Sequence, residues 1–199
     1  IKLCGLKTRE ANSKKQLKKT IMQTITRKGN FDAAHRIVNH AGKCANLHGH
    51  TYLFELTIAF DEVKATLNDD NNIGYPIDFA DLKALALGYI DRYYDHALIY
   101  NPKDPELEKL MDGSNRWRVV PMWLKSGLYC NPSVENIALQ LFAELNALFI
   151  MKKCPFRMNA LRLFETPNSY TDVNQDIYYH LLNDLTERAM KLNRVEQWK

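Results

Sequence analysis

Residues 48–60 read HGHTYLFELTIAF, and this stretch decides how the rest of the chain is interpreted. From residue 52 onward every second position is apolar: Tyr52, Phe54, Leu56, Ile58 and Phe60. A repeat of two predicts a strand, here Thr51–Phe60, with one buried face. His48 and His50 are two residues apart directly before it, so an extended chain would point both imidazoles to the same side.

A third histidine completes a candidate metal site. Four of the six histidines fall between residues 35 and 50, and His35 follows the first predicted strand, Ile21–Thr26. Three imidazoles around a metal with an open fourth position are typical of catalytic zinc, which acts as a Lewis acid. His35, His48 and His50 are therefore predicted zinc ligands. The alternative is a set of unconnected surface histidines.

Cys44 has two interpretations, and its spacing from the histidines leaves both open. It could be a fourth ligand, which would close the site and make the metal structural. It could instead be a thiolate near the metal, activated by it and by Lys43, and act as a base or nucleophile.

Two acidic residues are further candidates. Asp95 precedes His96, and a carboxylate can orient an imidazole and raise its basicity; the alternative is a histidine that interacts with a helix C-terminus. Glu165 follows an apolar run, where a carboxylate needs donors. It could accept two N–H groups from the edge of a pterin or guanine ring, or it could lie at an exposed strand end.

The order of predicted elements is strand, strand, helix, helix, strand, helix, which favours an α+β fold. One helix follows Asp78, a second begins at Ser133, and a third strand spans Phe156–Thr166. We divide the chain into a basic N-terminal extension, residues 1–20, and a single catalytic domain, residues 21–199. That domain contains an insertion at about 101–130 and a C-terminal helical extension at about 172–195, with a helix over Val173–Asn193.

Composition narrows the class of protein. The 199 residues are 46% hydrophobic and 25% charged, which excludes a disulfide mini-protein, a collagen-like chain and a wholly disordered chain. Four widely spaced cysteines favour a reducing compartment, the cytoplasm. No apolar run approaches a bilayer span of about 20 residues, and no secretory signal is recognised, so no membrane partner is expected. The net charge of +4 is compatible with binding to a polyanion, so the alternative to an enzyme is a zinc-stabilised nucleic-acid-binding module. Nucleic acid is nevertheless not the expected partner.

Six motifs follow one another along the chain: FDAAHRI (31–37), CANLHGH (44–50), GYPIDFADLK (74–83), DHA (95–97), NPSVENIA (131–138) and RLFETPNSY (162–170). In this order they resemble the 6-pyruvoyl-tetrahydropterin synthase and 6-carboxytetrahydropterin synthase family. The resemblance covers roughly Met22 to Tyr170. The spacing of three residues between Cys44 and His48 resembles the 6-carboxy-5,6,7,8-tetrahydropterin synthases of queuosine biosynthesis, whereas the pyruvoyl enzymes usually have a longer gap.

The resemblance implies a tunnelling fold: an antiparallel four-stranded sheet with two helices on one face. It implies a homohexamer, a dimer of trimers, with sites between subunits. It also implies Zn²⁺ on His35, His48 and His50, and a substrate, 7,8-dihydroneopterin triphosphate, that a lyase converts to 6-carboxytetrahydropterin, acetaldehyde and triphosphate. Of the remaining candidates, Cys44, Asp95 and His96 match the catalytic relay, and Glu165 matches the carboxylate that anchors the pterin.

Overall fold

A long hairpin-like pair of strands forms the centre of the computed structural model, which describes residues 22–61, 75–110, 118–123 and 129–177. Strand β1 (Met22–His35) and strand β2 (His48–Asp61) each contain 14 residues. They pair antiparallel along their whole length, from Met22 opposite Asp61 to His35 opposite His48. The pairing therefore brings two of the predicted metal ligands face to face where β1 ends and β2 begins.

In the described part of the chain the sheet has six strands, in the order β4-β3-β1-β2-β5-β6, so the expected number of four was wrong. β5 pairs antiparallel with β2, and β6 pairs antiparallel with β5. On the other side, β3 pairs parallel with β1, and β4 pairs parallel with β3, so the sheet is mixed and not antiparallel throughout as expected. The additional bounds are β3, Ala97–Tyr100; β4, Val119–Pro121; β5, Phe156–Thr166; and β6, Ser169–Asn174.

Two helices cover one face of this sheet, as expected. Helix α1 begins at Phe79, where Asp78 caps it by accepting a hydrogen bond from the Ala80 amide at 2.6 Å. It runs as Phe79–Leu82, a π-helical stretch Lys83–Leu87, and Gly88–Tyr93. Helix α2 is short (Pro105–Leu110), and helix α3 spans Val134–Met151.

The core lies between the sheet and the helices α1 and α3. From residue 52 onward the alternate side chains of β2 are at most 4% exposed, which fits the period-two prediction; they are Tyr52, Phe54, Leu56, Ile58 and Phe60. They join one hydrophobic cluster with residues of both helices. By length and hydropathy α3 could cross a membrane, but 72% of it is buried inside the protein, as a central core helix would be.

Several boundaries differ from the sequence-based prediction. β1 does not end at Thr26 but continues through Gly29 and Asn30 to His35. The described residues of the region 101–130, predicted as an insertion, include α2 and β4. The C-terminal helix begins later than predicted, since β6 ends at Asn174 and a short helix α4 follows at Gln175–Ile177. The extension 1–20 and residues 178–195 lie outside the described part of the chain.

Candidate metal centre and active site

The end of β1 and the start of β2 bring three imidazoles together. His35 is the register partner of His48, and His50 lies opposite Ala33, so all three side chains point to the helix-covered face. One ligand atom from each histidine lies within 4.8 Å of the others. The ring centroids are 4.6 to 5.2 Å apart. The three residues predicted as ligands thus form a group that could hold one metal ion.

The buried environment of His35 fits a metal ligand. Its side chain is 1% exposed, and Nδ1 lies 2.7 Å from the carbonyl oxygen of Pro132, so Nδ1 carries the proton and donates it. Nε2 is buried and has no hydrogen-bond partner in the described part of the chain. Burial lowers the pKa of His35 to about 4, outweighing the hydrogen bond to Pro132, and His48 and His50 lower it further. The imidazole is therefore neutral at pH 7, which is the form that binds metals.

His48, at the start of β2, is oriented in the same way as His35. The Asn46 carbonyl oxygen lies 2.8 Å from Nδ1 of His48, which leaves Nε2 of that ring for a ligand. Gly49, between the two histidines, lies against β1: a Cβ there would be 3.2 Å from the carbonyl oxygen of Ala33. The glycine therefore permits the close strand approach that sets the spacing of the imidazoles.

Glu165 lies beside this group. Its Oε1 is 3.6 Å from Nε2 of His35 and 4.0 Å from Nε2 of His50. These distances are too long for hydrogen bonds, but they put the carboxylate next to the two nitrogens. A carboxylate in this position can accept N–H groups of a molecule bound at the histidines.

Cys44 lies on the loop that joins β1 to β2, in a 3₁₀ turn formed by Lys43–Ala45. The Ile37 amide donates to the Cys44 carbonyl oxygen at 2.8 Å, which fixes the turn. The thiol is free and half-buried. Within the described residues, the group of ligand atoms close enough to share an ion consists of the three histidines without Cys44. The geometry therefore gives no support to a closed site with Cys44 as fourth ligand.

Asp95 and His96 contact each other although they are adjacent in sequence. Oδ2 of Asp95 lies 2.6 Å from Nδ1 of His96, and Oδ1 accepts the Asp32 amide at 2.9 Å. Burial raises the pKa of Asp95, but the Asp32 amide, His96 and Arg118 together hold it below its ordinary value. The ionised carboxylate thus fixes a proton on Nδ1 of His96 and leaves Nε2 as an acceptor.

His96 borders a cavity of about 520 Å³, whose lining also includes Arg118 and His50. Asp32 and Thr51 line it as well, and the Thr51 hydroxyl donates to Oδ1 of Asp32 at 2.5 Å. These two positions alternate with the histidine positions along β1 and β2, so they face the opposite side of the sheet. Among the described residues no hydrogen bond joins Cys44 to Asp95 or His96.

Sequence reasoning missed the residues that support the candidates. No role was predicted for Pro132, yet its carbonyl oxygen accepts from Nδ1 of His35 and orients the ring. The same segment is anchored by Asn131, whose side chain accepts from the Val38 amide and donates to the Val38 carbonyl. Arg36, next to His35, faces the buried carboxylate of Asp104 at 3.4 Å. Main-chain acceptors and long-range ion pairs leave no periodic pattern in a sequence.

Comparison with known proteins identifies relatives over most of the chain. The profile of the 6-pyruvoyl tetrahydropterin synthase family matches residues 24–176. A 6-carboxy-5,6,7,8-tetrahydropterin synthase of Rickettsia bellii is 38% identical over 153 residues, which are 76% of this chain and 100% of the relative. A protein of the same name from Haemophilus influenzae is 30% identical over 157 residues, 77% of this chain and 100% of the relative.

Solved structures share the fold. An uncharacterised protein from Wolinella succinogenes has a TM-score of 0.57 at 20% identity, covering 77% of this chain and 98% of its own. The 6-pyruvoyl tetrahydropterin synthase of Caenorhabditis elegans has a TM-score of 0.50 at 22% identity, covering 78% and 96%. The tunnelling fold implied by the resemblance is thus confirmed, with a sheet of six strands. On its sequence and its fold, the chain belongs to the 6-pyruvoyl tetrahydropterin synthase family of enzymes.

Proposed function

We propose that the protein is a zinc-dependent 6-carboxy-5,6,7,8-tetrahydropterin synthase. It would convert 7,8-dihydroneopterin triphosphate to 6-carboxytetrahydropterin, acetaldehyde and triphosphate. Relatives with the name of this synthase, up to 38% identical and matched over their full length, support the activity. The spacing of three residues between Cys44 and His48 supports the carboxy rather than the pyruvoyl product.

The main observation in support of a metal is the buried Nε2 of His35, which has no hydrogen-bond partner among the described residues and lies within a group of three imidazoles. Such a nitrogen is costly to bury unless it has a ligand. Nδ1 of His35 and Nδ1 of His48 each donate to a carbonyl oxygen, which leaves Nε2 of both rings for zinc, so these two residues and His50 would hold it. Bound there, zinc would serve as a Lewis acid toward the hydroxyl oxygens of the substrate side chain.

The remaining residues would divide the proton transfers and the binding. The Cys44 thiolate would take a proton from the side-chain carbon next to the ring and return one there. His96, oriented by Asp95, would act as the second acid and base while triphosphate leaves and the side-chain carbon–carbon bond breaks. Glu165 would accept two N–H groups of the pterin and so hold the reacting carbon near the thiol.

We propose that the active enzyme is an oligomer, a hexamer built from two trimers. In support, no hydrogen bond joins Cys44 to Asp95 or His96 in the described part of the chain, and Asp32 beside that pair faces away from the imidazoles. A neighbouring subunit could supply the pair. The outer strands β4 and β6 end the described sheet, and unpaired edges are commonly covered in assemblies.

For the cellular setting we propose the cytoplasm and a pathway to queuosine or a related 7-deazapurine. The described cysteines, Cys44, Cys130 and Cys154, are free thiols, which is consistent with a reducing compartment.

The test is to incubate the zinc-loaded protein with 7,8-dihydroneopterin triphosphate and identify the products, with a chelator-treated sample as control. We expect acetaldehyde, triphosphate and the 6-carboxy product, with turnover lost after chelation and restored by zinc. Retention of the three-carbon side chain would instead identify a pyruvoyl-type synthase. Absence of turnover together with salt-dependent binding of nucleic acid would contradict the enzyme and favour a binding module.

A further inference from the structure

Arg118 holds the main chain next to the Asp95–His96 pair. Its Nη1 donates to the carbonyl oxygen of Asp91 at 3.0 Å and to that of Asp95 at 2.9 Å. These carbonyls lie at the C-terminal end of α1, where the last carbonyls have no partner within the helix. A guanidinium offers several rigid donors and a positive charge, both favourable at a helix C-terminus.

The peptide group between Asp95 and His96 is fixed at both of its polar atoms. Its oxygen accepts from Arg118 at 2.9 Å, and its nitrogen donates to the carbonyl oxygen of Asp32 at 2.6 Å. His96 has a φ of 54°, in the left-handed region that is unfavourable for a residue with a Cβ. Outside contacts are needed to maintain such a conformation, and these two hydrogen bonds supply them.

Arg118 is itself placed by the sheet. Its carbonyl oxygen accepts the Leu98 amide at 2.8 Å, directly before the parallel pairing of Leu98 with Val119. β4 therefore delivers Arg118 to the segment that begins β3. The region 101–130, which sequence reasoning treated as an insertion of unknown purpose, in this way contributes a side chain to the neighbourhood of His96.

We propose that Arg118 is a positioning residue, which holds the Asp95–His96 peptide so that the His96 imidazole stays on the Asp95 carboxylate and presents Nε2 to the reaction. This inference rests on the proposed function. A positioning role predicts that loss of Arg118 slows the chemical step, because the ring is displaced, but leaves substrate binding and metal content nearly unchanged.

The experiment compares Arg118→Met and Arg118→Lys with Lys109→Met, which removes one positive charge from an exposed i,i+3 ion pair of α2. For Arg118→Met we expect kcat to fall about tenfold to a hundredfold, with KM within about threefold and zinc content unchanged. Arg118→Lys should recover part of kcat, because one ammonium group can reach one of the two carbonyls. Lys109→Met should match the wild type.

Hydrogen exchange, measured without substrate, tests whether the hydrogen bonds of Arg118 hold this segment of the main chain. In Arg118→Met, amides of residues 94–98 should exchange faster, while those of β2 and β5 stay protected. A raised KM with unchanged kcat would overturn the proposal and make Arg118 a contact for the substrate's phosphates. Unchanged exchange in 94–98 would overturn it as well, and this readout remains valid even if the wild type has no synthase activity. If Arg118→Met does not fold, Arg118→Lys provides the same comparison.

Discussion

The Nδ1 atom of His35 lies 2.7 Å from the carbonyl oxygen of Pro132, 97 residues further along the chain. This contact ties the end of β1 to the start of α3 and determines which nitrogen of the imidazole carries the proton. Nε2 is thereby directed into the group of three histidines. The orientation of this candidate ligand thus depends on the segment that precedes the central core helix.

Replacement of His35 tests the metal group directly. His35→Gln should weaken zinc binding more than about a hundredfold, since even loss of an outer partner of a ligand costs about ten- to a hundredfold. His40→Gln is the matched control, because His40 is exposed and lies outside the group. Zinc titration with a competing chelator measures both. Equal affinities in the two variants would contradict the assignment of His35.

The metal-free protein should lose stability in mild acid. Burial lowers the pKa of His35 to about 4 from 6.5, so between these values the unfolded chain holds a proton that the folded chain lacks. The free energy of unfolding therefore rises with pH across this window and falls as pH drops below 6.5. At about 1.4 kcal/mol per pKa unit, the His35 contribution amounts to about 3 kcal/mol.

Urea unfolding of chelator-treated protein between pH 4.5 and 7.5 measures this contribution. His35→Gln removes the titrating group, so its stability should depend less steeply on pH than that of the wild type. The same dependence in both proteins would show that other groups cause the acid sensitivity.

Gly49→Ala should move the strands that carry the imidazoles. The new Cβ would meet the carbonyl oxygen of Ala33 at 3.2 Å, so β2 must shift by a few tenths of an ångström relative to β1. We expect about a tenfold loss of zinc affinity, comparable to loss of an outer-shell contact. In the control Gly42→Ala the Cβ meets the exposed His40 ring, which can rotate away. An affinity of Gly49→Ala equal to that of the control would be evidence against the close-approach argument.

Cys44→Ala separates the two interpretations of the thiol. If Cys44 transfers protons, the variant keeps its zinc and its fold but loses turnover by at least about a hundredfold. If the thiolate were a fourth ligand, zinc and stability would be lost together. Cys154→Ala is the control, since burial raises the pKa of that thiol and makes it a poor nucleophile. Metal analysis, thermal unfolding and product formation distinguish the outcomes.

The parts of the fold that were predicted correctly are those with long periodic patterns. β5 was predicted at Phe156–Thr166 and has those bounds, and the period-two residues of β2 are buried. The end of β1 was missed because Gly29 and Asn30 normally interrupt strands. Here the missing side chain of Gly29 leaves room for the Phe54 ring, which a Cβ would meet at 2.5 Å. Tertiary packing therefore overrode the local preference.

The short strands could not be predicted from pattern. β3 and β4 contain 4 and 3 residues, too few to show a repeat, and they form by parallel pairing between distant segments. β6 was partly assigned to a helix, yet it is held to β5 by a paired Arg162 and Asp172, with Nε and Oδ1 2.7 Å apart.

The candidate site, too, was predictable only where its residues form a local sequence pattern. The histidines are visible as a motif, whereas the partners of His35 and of the Asp95–His96 peptide come from distant strands and carbonyls.

Asp95→Asn tests whether the carboxylate sets the tautomer of His96. In the variant, Oδ1 of the new asparagine can still accept a hydrogen bond from the Asp32 amide. The Nδ2 group then lies against Nδ1 of His96, in the place of the carboxylate oxygen that accepts from that nitrogen at 2.6 Å in the wild type. An N–H donor there forces the imidazole proton onto Nε2, so the atom that should accept a proton is blocked. We expect kcat to fall by about a hundredfold or more, while zinc content and fold are retained. Asp91→Asn is the matched control, since it removes the same negative charge from an exposed position of α1. Asp91 contacts Arg118 through its main-chain carbonyl, so this substitution leaves that contact in place. Equal kcat values in the two variants would mean that His96 works without its carboxylate partner.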